Sequence, residues 1–144
     1  MVRKDRFFLY LVFRQGGDTF IRQREGKDIW QNLWEFPAVE LSALPFDRAE
    51  TEQEINRNFF PGGLPEGLLI ETISQPLRQT LTHRNVAAVF CEISLSNGFQ
   101  SLDFQNIILE NYRRISFEKL KKNVALPRLI DWYLQGKSIT YSLF

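Results

Sequence analysis

Residues 6–13 and 86–94 are apolar at odd and even positions alike. In the first run Phe7, Leu9, Leu11 and Phe13 alternate with Phe8, Tyr10 and Val12. Side chains of a strand point to opposite faces in turn. A strand apolar on both faces must therefore be covered on both. Two such strands call for a sheet with further elements packed above and below it, and the second run reads as a central strand. The 144 residues suit one domain with a proper core, and thirteen Phe at 44% hydrophobic content exclude a disordered chain. No apolar run reaches membrane-spanning length, so no membrane role is expected. The charged start Met-Val-Arg-Lys-Asp-Arg is not a secretory signal. Cys91 is the single cysteine, which rules out an internal disulfide and suggests a reducing compartment such as the bacterial cytoplasm.

The rest of the pattern fills in a mixed sheet with helices on it, an α+β fold. Gly16-Gly17-Asp18 reads as a turn, with residues 19–24 returning as the second strand of a hairpin. A loop spans 25–31, after which the chain re-enters the core through Leu33-Trp34-Glu35-Phe36-Pro37. Residues 47–60 predict a helix, with Asp47 as its cap and Glu50 completing a capping box. Ile55 and Phe59 form its buried face, and Pro61-Gly62-Gly63 stops it. Strands are expected over 68–74, 77–81 and 86–94, with a turn at Asn97-Gly98 and a late strand at 112–115. Ser116 can cap a short helix through Lys121. Pro127 suits the start of a final helix and Gly136 its end. The domain then spans 1–136, and 137–144 form a tail.

Several residue groups carry possible chemistry. Arg22 and Arg24 share one strand face and can meet phosphate, a neighbouring domain or only solvent. Arg78, Arg84 and Arg113-Arg114 are further phosphate candidates; Lys119, Lys121 and Lys122 read as a solvated helix end. Trp34 and Phe36 are expected in the core, and Trp30 either in surface packing or in an interdomain contact. Glu50, Glu52 and Glu54 are spaced by two on a helix and cannot all converge on one ion. The net charge of +1 is low for a domain that holds nucleic acid alone. It fits a helper that relies on a second domain.

The segment 20–37, Phe-Ile-Arg-Gln-Arg-Glu-Gly-Lys-Asp-Ile-Trp-Gln-Asn-Leu-Trp-Glu-Phe-Pro, resembles the opening of the Nudix fold. The hydrolase signature of that fold is only partly kept. In register from Glu40, Trp34 stands in the place of the Gly and Arg48 in that of the Arg. Ala49 replaces the first metal-binding Glu, Glu52 is retained and Gln53 replaces the third. A hard divalent cation needs several oxygen ligands, usually charged, so no metal is expected here.

Arg22-Gln23-Arg24, Trp30 with Leu33-Trp34-Glu35-Phe36-Pro37, Leu81-Thr82-His83 and Leu126-Pro127-Arg128-Leu129-Ile130 together resemble the C-terminal, Nudix-like domain of adenine DNA glycosylases of the MutY family. That resemblance covers most of the chain. It implies a non-catalytic role in recognising 8-oxoguanine opposite adenine during base excision repair. The partners it implies are double-stranded DNA carrying that pair and the N-terminal glycosylase domain of the same parent. The parent's catalytic acids and iron–sulfur cluster belong to that missing domain; one Cys cannot supply the four ligands of a cluster. No cofactor is expected in this fragment, and it should cut nothing alone.

By the same resemblance Thr82 reads the lesion, with Leu81 and His83 beside it. Guanine N7 is an acceptor in the major groove; oxidation at C8 gives N7 a hydrogen and makes it a donor. A hydroxyl or a carbonyl can then accept from it. His83 would support the loop or a phosphate. Leu81 replaces the aromatic residue common in the family, which removes a stacking face. Arg22, Arg24, Trp30 and Arg84 are the candidates for DNA or interdomain contact. Ser142-Leu143-Phe144 resemble the end of the short peptide with which bacterial repair proteins hook the sliding clamp; the alternative is a tail folded back on its own domain. Two other readings stand beside this one: a stand-alone Nudix pyrophosphohydrolase with a degenerate metal site, and a protein-interaction module.

Overall fold

A computed structural model describes residues 3–27, 30–99, 104 and 110–136. The tail with Ser142, Leu143 and Phe144 lies outside the described residues. Strands are β1 (Lys4–Arg14), β2 (Asp18–Gln23), β3 (Trp34–Glu35), β4 (Ala38–Leu41), β5 (Leu68–Ile73), β6 (Leu77–Thr80), β7 (Arg84–Leu95) and β8 (Arg113–Ser116). Helices are α1 (Arg48–Asn58), α2 (Phe117–Asn123) and α3 (Arg128–Leu134).

The two runs that are apolar on both faces lie side by side. β1 and β7 pair in parallel, in unbroken register from Lys4–Arg84 to Arg14–Ser94. β4 takes the other edge of β1, antiparallel, while β5 and β6 both pair with β7. β4 holds the Phe7–Tyr10 stretch of that edge of β1. The expected hairpin partner, β2, turns away after one isolated bridge between Gln15 and Asp18 and joins a second sheet of order β3-β2-β8. The turn was read correctly; the pairing was not. β3 and β4 went unread as strands because they are short and are separated by Phe36 and Pro37.

Alternation along β1 feeds a core on each face of the large sheet. Leu9, Leu11 and Phe13 pack with Phe20, Ile55, Phe60, Val89, Cys91 and Ile93 under α1. Phe8, Tyr10 and Val12 pack with Trp30, Phe36, Phe90, Leu129, Ile130 and Tyr133 under α3. On that second face Tyr10, Phe90 and Tyr133 stack, with ring centroids 5.0 and 4.2 Å apart. Tyr133 donates its hydroxyl to Glu92, whose other oxygen accepts from Arg14 Nε at 3.1 Å. Arg14 in turn lies 4.3 Å from the centre of the Phe117 ring. One charged group on β7 thus ties both C-terminal helices to the sheet.

The helix ends follow local rules. Asp47 caps α1 by accepting from Glu50 N at 2.9 Å. The Glu50 carboxylate accepts from Phe46 N, one residue before the cap, so the capping box closes one position early. Ser116 caps α2 by accepting from Lys119 N at 3.2 Å. Pro127 stands just before α3 as its cap residue, and Gly136, at φ +82°, ends it with its N–H on Tyr133 O.

Cys91 is fully buried beneath α1, and burial pushes its thiol up from an ordinary 9.0 to about 12, with Arg48 pulling the other way. A thiol that keeps its proton in the folded state but loses it when unfolded favours folding less as pH rises. That contribution is complete below pH 9 and is lost between pH 9 and about 12. At pH 8 a thiol reagent should label Cys91 only at the rate at which the chain opens. Labelling as fast as in denaturant would show the thiol to be accessible in the folded chain.

Candidate functional site

The segment between β6 and β7 is a tight turn. Leu81 N–H donates to Arg84 O at 2.8 Å and closes it. Thr82 and His83 form the exposed apex, while the half-buried Leu81 packs on the core under α3. The N-terminal residues brace the turn from outside: Arg3 Nε donates to Leu81 O at 3.0 Å, and Lys4 N–H to His83 O at 3.0 Å. The carbonyls of Leu81 and His83 already accept, and the exposed Thr82 brings to the tip a hydroxyl that can accept as well.

The surroundings are cationic although the chain as a whole is close to neutral. Parallel register sets Lys4 beside Arg84, and Arg3 reaches the turn. Arg78 stands on β6, registered to Ala87. Arg84 is half-buried and shares the face of Val86; its Nε is enclosed with no acceptor among the described residues. Asp5 is the nearby acid, and its carboxylate accepts from Asn85 Nδ2 at 3.1 Å.

Arg22 and Arg24 do share a face, and both turn to one buried carboxylate. Glu35, 1% exposed, sits 2.8 Å from Arg24 Nη1 and 3.6 Å from Arg22 Nε. Register explains this: β2 and β3 pair Arg22 with Glu35. Arg24 also lies over the Trp30 ring, and Arg22 over that of Tyr112. Arg24, 17% exposed, is held within the fold, whereas Arg22, 48% exposed, keeps an outward side. Trp30 needs correction as a surface or interdomain residue. It is 5% exposed, packed edge-on against Phe8 at 5.1 Å. The residues beside it hold it there: Arg24 N donates to Leu33 O, and Asn32, at φ +69°, makes a bend. Phe36 is fully buried and Trp34 half-buried, with Arg113 over its ring at 5.1 Å. Arg114 is engaged by Asp18 at 2.8 Å.

The carboxylates at the hydrolase-signature positions are spoken for. Glu40 forms a two-point pair with Arg6, at 3.0 and 2.8 Å, which holds its carboxyl below the usual range. Glu52 pairs with Arg48, whose guanidinium also donates to Ile70 O at 2.9 Å. Glu54 faces Arg57, and Glu50 caps the helix. A cleft of about 470 Å³ holds Glu40, Glu50, Gln53 and Glu54 together with Arg57. With an amide and a guanidinium on its walls and its acids engaged, it does not fit a divalent cation. Among the described residues no three His, Cys, Asp or Glu side chains group as a metal site.

A mixed sheet covered by helices on both faces, with an arginine-bearing strand leading into a Trp-Glu-Phe-Pro segment, is a Nudix-type fold. The chain belongs to the NUDIX domain family, whose pattern matches residues 9–136. No curated protein matches the chain. Among solved structures, the C-terminal domain of mouse MUTYH, crystallised with human PCNA, is 16% identical at a TM-score of 0.62, covering 94% of this chain and 90% of that one. The MutT protein of Methanosarcina mazei Go1 is 14% identical at 0.59, covering 98% of each chain. C. elegans Ap4A hydrolase is 14% identical at 0.57, covering 100% of each. At such identities these likenesses establish the shared fold.

Sequence reading passed over the role of Glu35, since nothing local shows which strand will face Arg22 and Arg24. Removing one partner of a buried pair strands the other's charge. Glu35→Ala should lower stability by about 3 kcal/mol, somewhat eased by the exposure of Arg22. Chemical denaturation measures this, and a loss under about 1 kcal/mol would mean that the pair is of the weak surface kind.

Proposed function

We propose that this chain is the lesion-recognition domain of an A/G-specific adenine DNA glycosylase, non-catalytic itself, that reads 8-oxoguanine opposite adenine in duplex DNA. The observation that carries this reading is the β6–β7 tip: an exposed Thr82 hydroxyl on a turn whose neighbouring carbonyls are engaged, bordered by Arg3, Lys4 and Arg84. A hydroxyl can accept from the N7–H that distinguishes the oxidised base. A turn already closed by backbone hydrogen bonds lowers the ordering cost at binding. The paired carboxylates of Glu40, Glu52 and Glu54 support a domain that binds rather than hydrolyses. In this reading the adenine is flipped out and removed by the N-terminal domain of the parent, which carries the iron–sulfur cluster.

The second reading, a stand-alone Nudix pyrophosphohydrolase, is favoured by the retained Glu52 and by the full-length likeness to MutT and Ap4A hydrolase. It requires magnesium- or manganese-dependent turnover of nucleotides that Glu52→Gln abolishes. We expect none from this chain.

The binding test compares duplexes of one sequence carrying 8-oxoguanine:adenine or guanine:adenine. The chain should prefer the first, and Thr82→Ala should cut that preference about fivefold, the equivalent of one hydrogen bond of about 1 kcal/mol. A preference unchanged in the double variant Thr82→Ala, His83→Ala removes this turn from lesion reading.

A further inference from the structure

The core under α1 runs along β7 from Val89 to Leu95 and stops short of Ala87. Beyond it, among the described residues, no helix packs on the same sheet face toward the Thr82 turn. A groove of about 340 Å³ lies there, on the neighbouring strands β1, β7 and β6. Register fixes its layout. One row across the strands is Phe7, Ala87 and Arg78; the next is Asp5, Asn85 and Thr80. Small Ala87, 3% exposed, forms the floor. Arg78, Thr80 and Asn85 are exposed.

The chemistry of this groove is that of a donor array. Arg78 has no carboxylate partner among the described residues, unlike Arg6, Arg14, Arg24, Arg48, Arg57 and Arg114. Thr80 adds a hydroxyl and Asn85 an amide. Asp5 lines one end of the groove and accepts from Asn85 Nδ2 at 3.1 Å, which leaves Asn85 one amide hydrogen to offer and Arg78 as the cation of the groove. Arg78, Thr80 and Thr82 follow one another at the two-residue spacing of a strand face. Thr82 is therefore at most about 13 Å from Arg78 along the chain, roughly four nucleotides of rise on one DNA strand.

We infer that this groove is a phosphate track: it holds the backbone of duplex DNA, with Arg78 as the phosphate ligand, and so sets the register in which Thr82 meets a base. Phosphate contacts position a protein on DNA without reading sequence. The inference rests on the lesion-recognition reading for its choice of partner, but the two fail separately.

The experiment measures equilibrium binding of the chain to a duplex of about 20 base pairs, with 8-oxoguanine:adenine or guanine:adenine at its centre, over a salt series. Arg78→Ala should weaken binding equally to both duplexes and flatten the slope of log K against log salt by about 0.9, the loss of one phosphate contact. Arg78→Lys should restore the slope, since a lysine also neutralises a phosphate. Thr82→Ala should leave it unchanged. An unaltered slope in Arg78→Ala overturns the track. So does a chain that binds no duplex at low salt, or one that binds a polyglutamate peptide through Arg78 in preference to DNA. If Arg78→Ala flattens the slope while the two duplexes bind equally well, the track stands and lesion reading fails.

Discussion

The parallel pairing of β1 with β7 is the constraint on which the rest of the molecule depends. Both strands are apolar on both faces, so each must lie inside a sheet covered above and below. Parallel neighbours cannot be joined by a tight turn, and most of the chain lies between them. β4 pairs with the outer edge of β1 at Phe7–Tyr10, and β2 lies in the second sheet. There it meets β3 and β8 and brings Arg22 and Arg24 to Glu35. The same pairing sets the ends of β1 and β7 beside each other, which is why residues as distant in sequence as Lys4 and His83 share a hydrogen bond.

Charge is distributed by that topology. A net charge of +1 describes neither end of the molecule. Around the sheets and α1, arginines are matched with carboxylates: Arg6 with Glu40, Arg14 with Glu92, Arg24 with Glu35, Arg48 with Glu52. Two of these carboxylates, Glu40 and Glu52, stand at positions of the hydrolase signature. At the β6–β7 turn the balance differs: Arg3, Lys4 and Arg84 lie at the turn and Arg78 on the opposite sheet face, with Asp5 as the acid lining the groove. Local asymmetry within a neutral total is what a docking domain needs if affinity comes from a second domain and discrimination from a few contacts.

The two faces of the large sheet are finished differently. Under α3 the stacked rings of Tyr10, Phe90 and Tyr133, with buried Trp30 and Phe36, fill the space between sheet and helix. On the α1 side the core ends at Val89, and among the described residues the strand face beyond it carries the donors of the groove.

What could be read from residues alone was whatever is local or periodic. Alternation marked β1 and β7 as buried on both faces, Asp47 and Ser116 announced helix caps, and Pro127 and Gly136 bracketed α3. The link between the strands expected over 77–81 and 86–94 was legible because four polar residues, Thr82 to Asn85, separate them. Pairing was not legible, since a strand's pattern names its faces but not its neighbours. Tertiary structure alone decided that β2 leaves β1, that Trp30 turns inward onto Phe8, and that Glu35 gathers Arg22 and Arg24. It alone brought Arg3 and Lys4 to a turn some eighty residues away, because contacts of that span exist only once the β1–β7 register is formed.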